Sequence, residues 1–468
     1  MVMTWDEVTA VTGAVLHSGQ LRGSDAVPRI TTDTRKIAAG DLFVALRGEN
    51  FDGADFAADA LHKGAAAVLV SEPLSAAVRK ELKKAQGAVL TVKDTLAAYQ
   101  AIAHAWRMKF DIPVVAITGS NGKTTTKDLT AAVLSGRGTV CRTAANYNNE
   151  VGLPLTLLGI NAEDAAAVVE IGMRGRGQIA ALAPVAAPTI GIVTNVCAVH
   201  MELLGSIENI AKAKAELVQA IPADGTVILN ADDARVASMR ALAADGVRVL
   251  TYGIKENADV RAEALRFAAD GAQFMVTWAN ERHAYSIPLA GRHNVSNALA
   301  ALAAGFVLGL TPQEMQAGLR TLTPTKMRYE VHEVGAQRFI NDAYNASPSS
   351  MRAALETTAA LYHGRKIAVL GDMLELGAAA EEAHREIGMC VAELGFAALV
   401  TYGAQARWMH EAAEAAGCPV CHHAESHAAA AAFLRTLSAD GDTVLFKGSR
   451  GMKMEQIITL LTGEEAGH

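Results

Sequence analysis

The chain has little of what secreted, membrane-spanning and nucleic-acid-binding proteins depend on. Its 468 residues include five cysteines, too few for a disulfide framework at this length, which favours a reducing compartment. No apolar run is long enough to span a membrane, and the N-terminus lacks the basic region of a secretion signal. A formal net charge of -7 without a basic cluster argues against nucleic acid as a partner. We therefore expect a cytoplasmic protein without membrane insertion.

Apolar residues, in contrast, are plentiful. They make up 51% of the sequence, against 19% charged residues, which suffices to bury large cores and excludes disorder. A chain of this length favours about two to four domains. Strand-like apolar runs alternate with alanine-rich helical segments, which predicts parallel sheets covered by helices on both faces. The composition breaks around residues 322–325, which predicts a domain boundary there.

We predict an α/β protein of three domains. Residues 1–90 would form a small N-terminal α/β module, residues 91–322 a central parallel-sheet domain with a phosphate loop, and residues 323–468 a C-terminal Rossmann-like domain. Within the first domain, residues 29–35 and 41–46 are expected to form a hairpin. In the central domain we expect an antiparallel insertion over 258–289, a helix over 295–308, and a second helix that a capping box opens at Thr311 and Glu314. The strands predicted for the last domain are 338–341, 366–370, 397–402 and 442–446.

Residues 114–126 carry the strongest single motif. A β-branched apolar run is followed by a turn bounded by Gly119 and Gly122 and then by a helix-compatible segment (GSNGKTT, 119–125). This pattern predicts a nucleoside triphosphate site, because backbone N–H groups and a helix N-terminus would face the phosphates. Lys123 would reach the β- and γ-phosphates, and the Thr124 hydroxyl would join a Mg²⁺ shell. The loop is a shortened variant, since position 117 is isoleucine; the alternative is a glycine-rich turn with an exposed lysine.

Polar residues at the ends of other apolar runs are further candidates, because open α/β sheets bind ligands beyond the carboxyl ends of their strands. Glu170 ends one such run, and Asn195 and His200 follow another. Oxygen ligands suit Mg²⁺ and imidazole suits it less. Thr124, Glu170 and His200 are the predicted metal ligands, and the alternative for Glu170 is a solvated strand end.

The segment CPVCH (418–422) has the spacing of a c-type haem attachment site, and His423 adds a candidate metal ligand. Such attachment requires export, which the N-terminus does not support. We therefore predict an ordinary loop here, between a helix over 407–416 and the next strand.

Several motifs together resemble those of the Mur ligases, the ATP-dependent amide-forming enzymes of peptidoglycan synthesis. The resemblance covers nearly the whole chain and rests on the phosphate loop, NVCAVH (195–200) and GRHNVSNA (291–298). TDTR (32–35) and the segments 40–46 and 48–53 resemble the family's uridine-binding N-terminal domain. Four further segments resemble the family member that adds D-alanyl-D-alanine: NYNNEVGLP (146–154), DAYNASP (342–348), GDMLELG (371–377) and KGSRGMK (447–453). Ser347 departs from this pattern, since asparagine is more usual there.

The resemblance implies a reaction. ATP would phosphorylate the carboxylate of UDP-N-acetylmuramoyl-tripeptide, and the amine of D-alanyl-D-alanine would then displace phosphate from the acyl phosphate. Lysine and meso-diaminopimelate are both compatible with the third position of the peptide. The implied catalytic residues are Lys123, Glu170, His200 and Lys214. The implied ATP contacts are Gly119, Ser120, Asn121, Gly122, Lys123, Thr124, Thr125, His293, Asn297, Arg328 and Asp342.

The resemblance also implies contacts to the two other substrates. Those to the UDP substrate are Thr32, Asp33, Thr34, Arg35, Asn146 and Asn149. Those on the acceptor side are Tyr344, Asn345, Ser347, Lys447 and Ser449. Because Arg328 and Asp342 lie beyond the predicted boundary, the ATP site would be complete only when the C-terminal domain closes. The alternatives are that Arg328 is a surface arginine beside Glu330 and that His293 only begins a helix. We expect a monomer.

The predicted helix over 206–217 contains two lysines in different positions. One apolar stripe is formed by Ile207, Ile210, Lys214 and Leu217, whereas Lys212 points to solvent. Burial would lower the pKa of Lys214 and raise its neutral fraction. The resemblance implies a carbamylated lysine here that bridges toward Mg²⁺. The alternative is an ordinary ammonium group that reaches solvent or pairs with a substrate phosphate.

Other functions remain open at this point. Within the same chemistry, the chain could be another peptidoglycan amino-acid ligase or a folylpolyglutamate synthetase. In a different class, it could be a phosphate-loop motor or a regulatory NTPase, which would hydrolyse ATP without an acceptor. A non-catalytic nucleotide-binding protein would show no magnesium-dependent turnover.

Overall fold

The computed structural model describes residues 3–48, 51–198, 201–323 and 325–463. Contacts between Cα atoms divide the chain into two compact units. One comprises Met1–Ala116, Gly138–Gly172 and Ile179–Ile190, and the other Ile117–Arg137, Met173–Gln178 and Gly191–His468. Within the described ranges, no helix combines the length and the apolar character needed to cross a membrane.

The first unit is built around a five-stranded sheet. In spatial order its strands are Val15–Ser18, Ala88–Val92, Ala67–Ser71, Leu42–Val44 and Ile30–Thr31. The first pairing is antiparallel and the others are parallel. Two further pairs of strands belong to this unit: Met3–Thr4 with Ala26–Val27, and Thr139–Arg142 with Asp164–Glu170. Its helices are Trp5–Thr12, Ala57–His62, Ala76–Leu82, Thr95–Arg107, Gly152–Leu157 and most of Gln178–Ala186, with 3-10 turns at Thr34–Lys36 and Gly53–Phe56.

The helix Thr95–Arg107 shows why these sequences fold as they do. Asp94 caps it by accepting hydrogen bonds from the first-turn N–H groups of Leu96 and Ala97. Its buried residues recur at helical spacing, with Tyr99, Ile102 and Trp106 among them, and they join the core of the five-stranded sheet.

The hairpin predicted for residues 29–46 is wrong. Ile30–Thr31 and Leu42–Val44 do pair, but they run parallel. The connection between them contains the 3-10 turn Thr34–Lys36, which Asp33 caps. The chain therefore crosses back before the second strand begins instead of reversing in a tight turn.

The second unit contains two sheets. The strand order of the first, from its edge inward, is Glu281–Ile287, Gly271–Trp278, Val260–Ala268, Arg248–Gly253, Thr226–Asn230 and Ile190–Val193. Its three edge strands form the predicted antiparallel insertion. The strand Val114–Thr118 passes from the first unit into this one. The accompanying helices are Lys123–Leu134, Met201–Leu204, Ile207–Gln219, Ala234–Ser238, Arg292–Val307 and Pro312–Leu319, with 3-10 turns at Ser135–Arg137 and Met239–Leu242. The capping box at Thr311 and Glu314 is confirmed.

The second sheet of this unit has the order Glu330–Val334, Gln337–Asp342, Thr443–Lys447, Lys366–Gly371, Ala398–Tyr402 and Cys421–Ala424. All pairings are parallel except the first. Its helices are Pro348–Leu361, Ala380–Glu393, Ala406–Ala415, His427–Leu437 and Glu455–Thr462, with 3-10 turns at Gly377–Ala379 and Arg450–Met452. Residues of the strand Lys366–Gly371 alternate between two hydrophobic cores. Ala368 and Leu370 face one core, and Ile367 and Val369 face the other. This double burial explains the near-continuous apolar runs in the sequence.

The four strands predicted for this region are confirmed, and two edge strands were missed. Glu330–Val334 alternates half-buried and exposed residues, and Cys421–Ala424 carries two histidines, so neither has the apolar run of a central strand. Cys421 and His422 thus lie in a strand and not in the predicted loop. Burial raises the pKa of the Cys421 thiol to about 12. In the described part of the chain, no group of three or more His, Cys, Asp or Glu side chains is arranged to hold a metal.

Candidate active site

The phosphate loop lies between the strand that ends at Thr118 and the helix Lys123–Leu134. Gly122 is the N-cap residue at a φ of 78°, and a Cβ there would come within 2.5 Å of Asn297 Oδ1. A Cβ at Gly119 would overlap the Thr194 hydroxyl. Both glycines are therefore required by close approach, and the positive end of the helix faces the loop.

The loop is held by the end of the neighbouring strand. Asn195 accepts from the Ser120 and Asn121 N–H groups, through its carbonyl and its side chain, each at 2.9 Å. The Thr194 hydroxyl donates to the Asn121 carbonyl at 2.7 Å. Lys123 Nζ donates to the carbonyls of Gly119 and Ser120 at 2.9 and 3.1 Å. The ammonium group of Lys123 therefore lies against the phosphate loop, where it was predicted to bind the β- and γ-phosphates.

Asn297 connects the phosphate-loop helix Lys123–Leu134 to the long helix Arg292–Val307. Its Oδ1 accepts from the Thr126 hydroxyl at 3.3 Å, and its Nδ2 donates to Asn294 Oδ1 at 3.3 Å. Asn294 in turn donates to the Ala290 carbonyl at 2.7 Å. This buried amide series fixes Asn297 beside Gly122.

Of two predicted residues from the C-terminal part of the chain, Arg328 contacts the start of the phosphate-loop helix, and Asp342 contacts Tyr329, the residue that follows Arg328. Arg328 Nη2 donates to Thr124 Oγ1 at 3.1 Å, and its guanidinium lies 4.2 Å from the ring centre of Tyr344. Asp342 accepts from the Tyr329 N–H at 3.1 Å and from Lys447 Nζ at 2.7 Å. The buried Lys447 therefore holds the Asp342 carboxylate in place.

Asn121 is a second connection between the phosphate loop and C-terminal residues. Its Oδ1 accepts from the Ser347 hydroxyl at 3.0 Å, and its Nδ2 donates to the Ser349 hydroxyl at 2.9 Å. Ser347 is also the N-cap of the helix Pro348–Leu361. The residue that departs from the expected asparagine thus contacts the phosphate loop directly. Ser349 was not predicted.

Among the other acceptor-side residues, Asn345 contributes a backbone carbonyl and Ser449 a side-chain hydroxyl. The Asn345 carbonyl accepts from Lys447 at 3.0 Å, and Ser449 Oγ accepts from the Leu374 N–H at 2.9 Å. Thr125 lies in the first turn of the phosphate-loop helix.

A cavity of about 390 Å³ lies beside His293, between the start of the helix Arg292–Val307 and a face of the helix Pro348–Leu361. His293 is exposed to this cavity, yet the surrounding protein desolvates the ring and lowers its pKa to about 4, which the Asp342 carboxylate opposes. The imidazole is therefore neutral near pH 7.

Lys214 and Lys212 differ as predicted. Lys214 is 2% exposed and packs on the same stripe as the buried residues Ile210 and Leu217, whereas Lys212 is exposed. Desolvation, reinforced by the positive charge of Lys123, holds the pKa of Lys214 well below its ordinary value. The helical-face prediction is confirmed.

The remaining predicted residues belong to the first unit, apart from His200, which lies outside the described residues. Glu170 is buried at the end of its strand. Its Oε1 accepts from Asn148 Nδ2 at 2.8 Å, and its N–H donates to the Thr143 hydroxyl at 3.0 Å. The carboxylate is thus oriented rather than solvated, contrary to the alternative of a solvated strand end.

The residues predicted to bind the UDP substrate form two local structures. Asp33 accepts from the Arg35 side chain and N–H at 2.8 and 3.0 Å, and these contacts lower the pKa of Asp33 to about 2. Thr32 and Thr34 flank Asp33. Asn149 accepts from the Gly152 N–H at 2.8 Å, and Asn146 is exposed three residues earlier.

Comparison with known proteins decides the family. The Mur ligase middle domain model matches residues 117–305, the Mur ligase glutamate ligase domain model matches 327–450, and the Mur ligase family catalytic domain model matches 27–107. The chain is 40% identical to a UDP-N-acetylmuramoyl-tripeptide–D-alanyl-D-alanine ligase of Synechocystis sp., over 98% of this chain and 97% of that protein. The chain belongs to the Mur ligase family.

Other relatives of this Mur ligase agree. The Bacillus subtilis protein of the same name is 38% identical over 92% of each chain. Among solved structures, MurF from Acinetobacter baumannii has a TM-score of 0.90 at 30% identity, over 99% of each chain. MurF ligase from Thermotoga maritima in complex with ADP has a TM-score of 0.81 at 26% identity, over 93% of this chain and 97% of that one. The predicted three-domain α/β fold class is thereby confirmed; the boundaries after residues 90 and 322 stay predictions.

Proposed function

We propose that this Mur ligase uses ATP to join D-alanyl-D-alanine to UDP-N-acetylmuramoyl-tripeptide through an acyl phosphate. The observation that carries the proposal is the hydrogen bond from Arg328 to Thr124, because it brings a guanidinium from beyond residue 323 onto the phosphate loop. A site of that kind stabilises a transferring phosphoryl group. The relatives that share this name along nearly their whole length support the choice of substrates.

The proposed roles follow from charge and position. Lys123, Arg328 and the helix N-terminus would offset the negative charge on the β- and γ-phosphates. Asn297 would contact the nucleotide near adenine or ribose, with His293 beside it. Asp342, held by Lys447, would accept a hydrogen bond from the ribose. The loop residues Gly119, Ser120, Asn121, Gly122, Thr124 and Thr125 complete the proposed ATP site.

Mg²⁺ is the proposed metal, and it would supply a further positive charge at the transferring phosphoryl group. The residues proposed as its ligands are Thr124, Glu170 and His200. The donor chemistry of the first two fits, since both are hard oxygen ligands and Asn148 fixes the Glu170 carboxylate. A carbamate on Lys214 is a further proposal, which the low pKa of this buried amine supports.

The substrate contacts remain proposals as well. Thr32, Asp33, Thr34, Arg35, Asn146 and Asn149 are assigned to the UDP substrate, and Tyr344, Asn345, Ser347, Lys447 and Ser449 to the acceptor side. We propose that the enzyme acts in the cytoplasm as a monomer.

The test measures phosphate release by the full-length protein with ATP and Mg²⁺. The assay is repeated without UDP-N-acetylmuramoyl-tripeptide, without D-alanyl-D-alanine, and without either. Sustained release should require both, because the amine consumes the acyl phosphate. Rapid hydrolysis with neither substrate would support the motor or regulatory NTPase instead.

A further inference from the structure

The phosphate-loop helix presents a second polar side chain one turn beyond Thr124. Asp128 lies four residues further along, on the same face of the helix. Its side chain is 11% exposed, and its two oxygens have different partners. Oδ1 lies 3.2 Å from the buried Lys127 Nζ, and Oδ2 accepts from the Thr325 hydroxyl at 2.5 Å. A hydroxyl bound to a carboxylate at this distance is among the stronger hydrogen bonds in proteins.

Thr325 lies three residues before Arg328, in a short segment with unusual backbone. The residues on either side of Arg328, Met327 and Tyr329, have φ values of 57° and 54° although neither is glycine. Local bonds hold this conformation, since Met327 N–H donates to Glu330 Oε2 at 3.0 Å and its carbonyl accepts from the Tyr344 N–H at 3.1 Å. Left-handed backbone at non-glycine residues persists only where its surroundings impose it. The direction of the Arg328 side chain is thus set by the segment that carries it.

Residues 325–328 contact the phosphate-loop helix at two points, one helical turn apart. Thr325 bonds Asp128, and Arg328 bonds Thr124, so two residues of the segment meet two residues on one face of the helix. We propose that the Asp128–Thr325 hydrogen bond is a clasp that fixes the register of residues 325–330 on the phosphate-loop helix and thereby positions Arg328. Asp128 and Thr325 touch neither the phosphates nor the reacting atoms in this proposal, so both are positioning residues.

This inference rests on the proposed function, because Arg328 is its target. Loss of the clasp should leave the chemistry intact and lower the fraction of molecules in which Arg328 faces Thr124. A hydrogen bond to a charged group is strong enough to change such an equilibrium roughly tenfold. The loss should therefore appear in kcat/KM for ATP, while KM for the UDP substrate stays unchanged.

Thr325 is the residue to change, since Asp128 also pairs with Lys127. Thr325→Val removes the donor at nearly constant volume, and Thr325→Ser keeps the hydroxyl. Thr323→Val is the matched control, because Thr323 is an exposed threonine two positions earlier in the chain and outside residues 325–330. In steady-state assays of the full chain we expect a fall of roughly tenfold in kcat/KM for ATP with Thr325→Val, less than about twofold with Thr325→Ser, and no change in the control.

A double-mutant cycle distinguishes positioning from general destabilisation. If Thr325 acts through Arg328, then Thr325→Val should cause little further loss in an Arg328→Ala background. Additive losses would overturn the proposal, as would full activity of Thr325→Val or an equal loss in Thr323→Val.

Hydrogen–deuterium exchange gives a readout that does not depend on activity. Amide exchange in residues 325–330 should be faster in Thr325→Val than in the parent and unchanged in Thr323→Val. Unchanged exchange in Thr325→Val would refute the clasp even if the protein proved not to be this ligase. Conversely, a parent that fails to ligate but shows the exchange difference would refute the proposed function and leave the clasp standing.

Discussion

The burial of Lys214 makes the stability of this protein depend on pH in a way that one substitution should remove. The side chain is 2% exposed, and desolvation together with the charge of Lys123 lowers its pKa well below the ordinary value. In the unfolded chain the same lysine is solvated and titrates near pH 10.4. Between the lowered native pKa and about pH 10.4, folding therefore releases a proton.

The sign and size of the effect follow from that release. Because the unfolded state binds one more proton in this window, the free energy of unfolding rises with pH by up to about 1.4 kcal/mol per pH unit. The rise ends near pH 10.4, where both states are neutral. It also vanishes below the native pKa, where both states are protonated and the cost of burying the charge is fully present.

The assay is urea unfolding at about pH 8 and about pH 9 in CO₂-free buffer. We expect the parent to gain up to about 1.4 kcal/mol more than Lys214→Met over this interval, since methionine keeps an unbranched side chain without a titrating group. Lys212→Met should keep the parental pH dependence, because Lys212 is exposed. Equal pH dependence in the parent and Lys214→Met would show that the native lysine is charged and would refute the reasoning.

Two further predictions concern the phosphate loop. Gly122→Ala should raise KM for ATP roughly tenfold, because a left-handed alanine costs about 1–2 kcal/mol and its Cβ displaces Asn297. Gly205→Ala, at a φ of 75° with no atom within 4 Å, is the control, and an equal effect there would contradict the contact argument. Lys123→Ala should abolish ligation in the phosphate-release assay while the protein still folds, since its charge acts on phosphates and its site is a loop and not a core. Unaltered turnover would rule out the phosphate-loop assignment.

Local and periodic patterns account for what the sequence could predict. The strand and helix around Gly119 and Gly122, the capping box at Thr311 and the burial of Lys214 each depend on residues within a few turns of one another. The direction of strand Leu42–Val44 was mispredicted because a parallel crossover and a hairpin leave similar apolar runs. The bonds from Thr325 to Asp128 and from Ser347 to Asn121 join residues 197 and 226 positions apart. Single polar residues at such separations carry no periodic pattern, so the sequence offered no means to pair them.

Asn121 connects the phosphate loop to the first residues of the helix Pro348–Leu361 through both ends of its amide. A chimaera that exchanges C-terminal domains between family members must therefore preserve the side-chain contacts of Asn121 as well as the covalent connection between the domains. A donor domain with a longer residue than serine at position 347 would add atoms beside Oδ1 of Asn121, which accepts from the Ser347 hydroxyl at 3.0 Å. A working chimaera would need a matching change at position 121, and residues 121, 347 and 349 should be transferred together.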